Sequence, residues 1–231
     1  MRFSPRGCFV AGIAILLIYN VARGIGTFGS FDDVSAILLF GAFVALASMA
    51  RLTAIDLGLA RIDTHRGAAY GIAALLISTA LLVIGAIMPA TSDFFQDSRG
   101  DMSGPHILLE IALPIFLLTV LPEEFAFRGV LLALGRELWG DRGATFTTSV
   151  LFGLWHISPT LGTMSQNRQL DNAPGTMGGT IVLIAGSVLA TFVAGLIFSW
   201  LRLRSRSLLA PVIAHLSTNG VALVLAWIAI N

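Results

Sequence analysis

Two adjacent carboxylates and an arginine lie in LPEEFAFRG, a stretch of the chain that is otherwise almost wholly apolar. These residues are Glu123, Glu124 and Arg128. One charged residue at mid-membrane costs roughly 2.5–3.5 kcal/mol on insertion scales, so an acidic pair at that depth indicates a functional site. A carboxylate in such a place could take or give a proton as a general base or acid.

Two later apolar stretches carry further polar side chains that could do chemistry. His156 ends the run FGLWH, and His215 and Asn219 lie four residues apart in HLSTN. Residues four apart share one face of a helix, so this pair is predicted to point at the same place. An imidazole can transfer a proton or bind a metal, and an amide N–H can donate to a developing oxyanion.

Depth in the membrane relates these residues to one another. At a rise of 1.5 Å per residue, Glu123, His156, His215 and Asn219 lie roughly 12–20 Å from the arginine-bearing ends of their segments. The sequence therefore predicts that they share one layer. Helical phase further predicts that Glu124 pairs with Arg128 and that Glu123 points elsewhere, since neighbours are turned by about 100°.

Composition defines the elements that must position this layer. Of the 231 residues, 56% are hydrophobic and only 12% are charged. That balance excludes an ordinary soluble domain and predicts an all-α, polytopic transmembrane helix bundle of about seven spans. Cys8 is the single cysteine, which excludes an intrachain disulfide framework. The predicted spans are 7–22, 34–50, 68–89, 106–135, 144–157, 177–200 and 208–230.

The basic residues predict how the bundle lies in the membrane. All of them are arginine, and short cytoplasmic loops collect basic residues. Alternate predicted loops hold Arg2, Arg6, Arg51, Arg61, Arg66, Arg136, Arg142, Arg202, Arg204 and Arg206, and the other loops hold Arg23, Arg99 and Arg168. We therefore predict a cytoplasmic N-terminus and an outside C-terminus, with a prokaryotic plasma membrane as the location. The run RLRSRS is interpreted as a headgroup anchor, which gives membrane lipid and no nucleic acid as a partner.

The polar residues form three motifs in order along the chain. Glu123, Glu124 and Arg128 fit EExxxR, Phe152 and His156 fit FxxxH, and the last pair of polar residues fits HxxxN. Together they resemble the CPBP intramembrane proteases, a family that includes the CAAX prenyl endopeptidases and the bacterial Abi-type membrane proteins. The resemblance covers 51–231, interpreted as the catalytic helical core, and includes DLGL at Asp56–Leu59. Residues 1–50 are predicted to form two helices without motifs.

The resemblance implies hydrolysis of a peptide bond inside the membrane, in a peptide or protein substrate that carries a prenyl group for some relatives. It implies that Glu123 takes the proton of a water molecule that His156 positions. His215 and Asn219 would stabilise the oxyanion. Glu124, Arg128 and Phe152 would support the site.

Two schemes of water activation remain open from the residues. His156 and His215 with one Glu could hold a catalytic zinc with a fourth position for water. The chain lacks HExxH, however, and asparagine is a poor zinc ligand. We favour a glutamate-activated water without an obligatory metal.

Two other functions are compatible with the same residues. A proton-coupled transporter could use Glu123 and His156 as a relay, but the two halves of the chain show no inverted repeat. A non-catalytic membrane scaffold or immunity factor would leave the polar layer without a purpose. The sequence leaves the substrate and the oligomeric state open.

Overall fold

The computed structural model describes residues 3–24, 32–96, 98–164 and 177–231. These residues form helices and turns, with no β-strand among them. The α-helices are α1 Pro5–Gly24, α2 Asp32–Met49, α3 Ala54–Leu57, α4 Thr64–Ile87, α5 Gly104–Glu110, α6 Leu121–Glu124, α7 Leu132–Trp155, α8 Ile157–Met164, α9 Met177–Ser205 and α10 Leu209–Ile230. Two π-helical stretches, Ile111–Val120 and Phe125–Leu131, flank α6.

The helical segments are long and apolar enough to cross a membrane, so the chain is an integral membrane protein. Five described segments meet this criterion: Pro5–Gly24, Ala54–Ile87, Gly104–Gly162, Gly179–Ser205 and Leu209–Ile230. The third reverses direction at Gly140, and α2 is a shorter apolar helix. Counting both arms of the third segment and α2, the prediction of an all-α bundle of about seven spans is confirmed.

The reversal at Gly140 needs almost no loop. Its backbone angles, φ 69° and ψ −178°, lie in a region that essentially only glycine adopts. The two arms therefore pack together at once, with Gly135 against Ala144. The sequence predicted a loop over residues 136–143, between the fourth and fifth spans. The predicted end of the one span and start of the other were therefore wrong.

The fifth predicted span also ends elsewhere than expected. We predicted its end at residue 157, before Pro159, but α8 continues the helical path to Met164. Pro159 is accommodated because it lies in the first turn of α8, where a helix has no partner for the missing N–H. The break falls instead at His156, whose φ and ψ are −81° and 0°.

The segment that carries the acidic pair occupies the centre of the bundle. Residues 122–135 are buried on every side, by α1, α2, α9 and the short α3. A helix surrounded in this way presents no face to lipid, so polar groups on it can be satisfied within the protein. π-Helical turns occur frequently at functional sites, and here they lie immediately before and after Glu123 and Glu124.

The turn formed by α3 makes hydrogen bonds to the junction between α9 and α10. Thr53 and Asp56 form a capping box at its start, and Gly58 ends it at φ 74°. The carbonyl of Gly58 accepts a bond of 2.8 Å from the backbone N–H of Leu208, and the buried Arg202 donates to the carbonyl of Asp56 at 2.7 Å. The DLGL stretch therefore has a structural role.

Replacing Gly58 with alanine is expected to destabilise the protein. A Cβ at this position would meet the guanidinium of Arg202, and positive φ alone costs an L-residue roughly 1–2 kcal/mol. We expect a lower melting temperature in detergent. Gly41→Ala is the matched control, because Gly41 lies inside α2 with nothing within 4 Å of the added Cβ. That variant should melt at or above the native temperature, since alanine favours helix. Equal melting of the two variants would contradict the assigned role of Gly58.

Candidate active site

A buried ion pair forms the base of the candidate site. Arg128 donates from Nη1 to Oε1 of Glu124 at 3.0 Å, and both side chains are at most 1% exposed. The same Oε1 lies 2.8 Å from Nδ1 of His215, which belongs to α10. The i,i+4 pair that the sequence predicts is therefore present. Glu124 also fixes the ring of His215, which the sequence did not indicate.

Glu123 faces a different neighbour. Its Oε1 accepts a bond of 3.0 Å from the indole Nε1–H of Trp155. Its Oε2 is buried and has no hydrogen-bond partner among the described residues. The carboxylate is thus held by one oxygen, and the other is available to a water molecule or substrate.

His156 lies where α7 ends, with its ring fixed by its own helix. Its Nδ1 is 2.8 Å from the backbone carbonyl of Phe152. A carbonyl oxygen can only accept, so Nδ1 carries the proton and, in the neutral ring, Nε2 has a free lone pair. Glu123 and His215 are both within electrostatic range of this ring.

The aromatic ring of Phe152 contacts Arg128 of the ion pair and both imidazoles. The guanidinium carbon of Arg128 lies 3.9 Å from the centre of this ring, within the range of a cation–π contact. The ring centres of His156 and His215 are 4.5 and 5.8 Å from it. Phe198 stacks on His215 at 5.3 Å. Phe152 therefore supports Arg128 and both histidines together.

The first helix also contributes to the site. Asn20 donates from Nδ2 to the backbone carbonyl of Trp155 at 2.8 Å, and Tyr19 stacks on the indole of Trp155 at 5.6 Å. These contacts orient the group that binds Glu123. The sequence carried no signal for them, because residues more than 130 positions apart had to be placed in contact.

One cavity of about 1070 Å³ unites the polar residues. Glu123, His156, His215 and Asn219 all line it, so the structure brings the four predicted residues to one cavity. Thr218 donates to Oδ1 of Asn219 at 3.4 Å, which leaves the amide N–H groups to donate. Glu124, Arg128 and Phe152 lie behind this lining, as buried supports. The catalytic roles of these residues stay predictions.

The side chains present do not fit a zinc site well. Among the described residues, no three or more His, Cys, Asp or Glu side chains are grouped so as to hold a metal ion. Nδ1 of each histidine is already bonded, and Glu124 is engaged by Arg128 and His215. His156 and His215 could offer only Nε2, so a catalytic set of three protein ligands would need Glu123 as well, and the described side chains are not grouped for that.

Comparison with known proteins gives one match. The family model described as type II CAAX prenyl endopeptidase Rce1-like matches residues 105–221, just over half of the chain. That range contains all three motifs and the whole layer of polar residues. No curated protein and no solved structure was found to match the chain.

Proposed function

The chain belongs to the family of Rce1-like type II CAAX prenyl endopeptidases. We propose that it is an intramembrane endopeptidase that hydrolyses a peptide bond of a membrane-associated substrate. The bond is attacked by a water molecule that Glu123 activates. One observation carries the proposal. Glu123, whose buried Oε2 has no hydrogen-bond partner among the described residues, lines a large cavity that two fixed imidazoles also line. This is the arrangement that general-base attack by water requires.

Glu123 acts first, as the base. Its Oε2 takes a proton from the water, and the water oxygen attacks the carbonyl carbon of the scissile amide. Trp155 keeps Oε1 occupied, so the proton goes to Oε2. The free Nε2 of His156 accepts the second O–H of the water and orients its lone pair. Positioned proton transfer of this kind contributes about 10²- to 10⁴-fold in rate.

Charge then develops on the carbonyl oxygen of the substrate. The amide N–H of Asn219 donates to that oxygen, and His215 in its imidazolium form would do the same through Nε2–H. Glu124, paired with Arg128, lies 2.8 Å from Nδ1 of His215 and would stabilise positive charge on that ring. The proton on Glu123 passes to the leaving amine as the C–N bond breaks, which regenerates the carboxylate.

Cleavage by the purified protein tests this function directly. The protein in detergent is incubated with peptides that carry a transmembrane segment, with and without a prenylated cysteine, and products are identified by mass. New amino termini at a defined bond support an endopeptidase. If the protein cleaves none of the peptides and instead conducts ions across the membrane of liposomes, the proposed protease is wrong and the proton-coupled transporter is correct.

Removal of metal is expected to leave the activity unchanged. The water is activated by Glu123 and positioned by His156, and no three or more His, Cys, Asp or Glu side chains of the described residues are grouped to hold a metal ion. Cleavage after dialysis against a strong chelator should therefore proceed at the native rate, with metal content checked by mass spectrometry. A zinc-dependent protease of known HExxH type serves as the control for chelation. Loss of activity that zinc restores would overturn this scheme.

A further inference from the structure

A second cavity lies apart from the candidate active site, between the part of α7 that follows Gly140 and the last turns of α9. Its volume is about 410 Å³, within the range of pockets that hold small ligands. We call it the arginine cavity, and it is lined by Asp141, Arg142, Thr145, Trp200, Leu203 and Arg204. It shares no lining residue with the large cavity, so a ligand bound here lies outside the candidate active site.

The lining of the arginine cavity carries two positive charges that no described residue compensates. The guanidinium groups of Arg142 and Arg204 make no hydrogen bond or ion pair to any described residue. Asp141, the acidic residue of the lining, is already engaged, because Nε of Arg136 lies 2.7 Å from its Oδ1. An anion that enters the cavity therefore meets two unpaired guanidinium groups, whose N–H groups match the oxygens of a phosphate in pairs.

The packing of α7 against α9 explains why a space opens here. A Cβ added to Gly195 would lie 3.0 Å from Cα of Ser149, so the two backbones approach closely at that level. Further along α9, the residues toward α7 are Trp200, Leu203 and Arg204, which lie three and four positions apart and share one face. These side chains are too large for so close a contact, and the cavity lies among them.

The arginine cavity lies at the level of the lipid headgroups. Asp141 and Arg142 directly follow the turn at Gly140 that joins two membrane-crossing arms, and Arg204 lies one residue before the end of α9. Tryptophan is enriched at this depth, and Trp200 is held there by an edge contact with Tyr70, with ring centres 6.0 Å apart. A phosphate at this depth is within reach as part of a membrane lipid.

An apolar strip leads from the cavity into the membrane along α9. Val193, Ile197 and Trp200 are each between 45% and 56% exposed. They precede Arg204 at steps of four, three and four residues, so all four side chains lie on one face of the helix. A cation at the membrane surface with an exposed apolar strip below it matches the headgroup and acyl chain of a phospholipid, whereas a free phosphate ion makes no use of the strip.

We propose that the arginine cavity binds an anionic phospholipid, with its phosphate between Arg142 and Arg204 and an acyl chain along the apolar strip of α9. The headgroup carries net negative charge, because the ammonium group of a zwitterionic lipid would find no free carboxylate: Asp141 is held by Arg136. The bound lipid joins α7 to α9. It therefore stabilises the folded protein, since it binds the native state and not the unfolded one.

Lipid binding to the purified full chain tests this site without any assay of cleavage. The protein in a neutral detergent is titrated with phosphatidylglycerol, and native mass spectrometry gives the dissociation constant of the first bound lipid. One basic residue beside an anionic headgroup contributes about fivefold in affinity, so Arg142→Gln with Arg204→Gln should weaken binding about 30-fold. Phosphatidylcholine should bind the native protein at least about tenfold more weakly than phosphatidylglycerol. Equal affinity for the two lipids would overturn the proposal.

A matched double variant separates the site from general attraction between arginines and anionic lipid. Arg6 and Arg61 are exposed and do not line the cavity, so Arg6→Gln with Arg61→Gln removes the same charge elsewhere. This control should bind phosphatidylglycerol with the native affinity. Both double variants change exposed side chains and should unfold at the native temperature in lipid-free detergent. If the control loses as much affinity as the cavity variant, the cavity is not a binding site.

Two further measurements locate the lipid and identify the source of the phosphate. Phosphatidylglycerol with brominated acyl chains should quench tryptophan fluorescence at one lipid per protein, and Trp200→Phe should abolish that quenching. Trp227 does not line the cavity, so Trp227→Phe should leave the quenching unchanged. Inorganic phosphate at millimolar concentration should displace the lipid poorly. If it binds as tightly as the lipid does, or if Trp200→Phe is still quenched, a phospholipid is not the ligand of this cavity.

Discussion

Glu123→Gln is expected to lower kcat for peptide cleavage by about 10²- to 10⁴-fold, the range that a positioned general base contributes. Glutamine has nearly the same shape and its side-chain carbonyl can still accept the indole N–H of Trp155. The change removes only the ability of the buried, unpartnered oxygen to take a proton. Substrate affinity should change little.

The matched control for this variant makes the same chemical change elsewhere on the same helical segment. Glu137 is exposed and lies outside the candidate site, so Glu137→Gln should keep the native rate. Thermal unfolding in detergent should give the same midpoint for both variants as for the native protein. If Glu123→Gln cleaves at the native rate while remaining folded, another group must activate the water.

The sequence allowed the polar residues to be grouped together because depth along a helix depends only on counting. Helical rise is nearly constant, so residues at similar distances from the arginine-bearing ends of three segments lie at similar depth. Glu123, His156 and His215 do line one cavity. The Glu124–Arg128 pair could be predicted for a similar reason, because residues four apart on one helix are neighbours whatever surrounds them.

The partners across the bundle could not be predicted in this way. Periodicity indicates which face of a helix is polar, but it does not indicate which other helix that face meets. Trp155 donates directly to Glu123, a contact that the sequence did not indicate. His215 was predicted to act together with Asn219, and the sequence did not indicate that Glu124 holds its Nδ1. Both contacts depend on how α7 and α10 pack around the central segment.

Departures from ideal helix explain the boundaries that were wrong. Phe125–Leu131 winds as a π-helix, which shifts the phase of every residue after it relative to a repeat of 3.6. At Gly140 the chain turns sharply between two helices that follow each other with almost no loop, and hydropathy alone predicts a span followed by a longer loop. Pro159 was interpreted as a stop, although proline is compatible with the start of a helix.

Arg128→Met is expected to destabilise the protein more than any other single change to the ion pair. Glu124 is fully buried, and loss of its cation leaves a charge that neither water nor lipid can solvate. Breaking a buried pair in this way costs roughly 3–5 kcal/mol. For a domain of this size that corresponds to a fall in melting temperature of roughly 6–20 °C. Thermal unfolding in detergent measures it.

The exposed pair Arg136–Asp141 provides the control for this loss. Its two side chains are 41% and 60% exposed and lie 2.7 Å apart, so Arg136→Met should cost at most about 1 kcal/mol. The comparison separates burial from the mere presence of an ion pair, because the two contacts have similar lengths. If Arg136→Met and Arg128→Met have the same melting temperature, burial of the Glu124 carboxylate is not the reason its ion pair stabilises the protein.

The double variant Glu124→Gln with Arg128→Met then separates folding from catalysis. With both charges gone, no buried ion lacks a partner, so the double variant should melt well above Arg128→Met alone. Its cleavage rate should nevertheless stay low, because a neutral glutamine stabilises the imidazolium of His215 far less than an ionised carboxylate does. If the double variant recovers both the native cleavage rate and the native stability, Glu124 has only a structural role. The proposed role of His215, which requires a negative charge beside its imidazolium, would then be wrong.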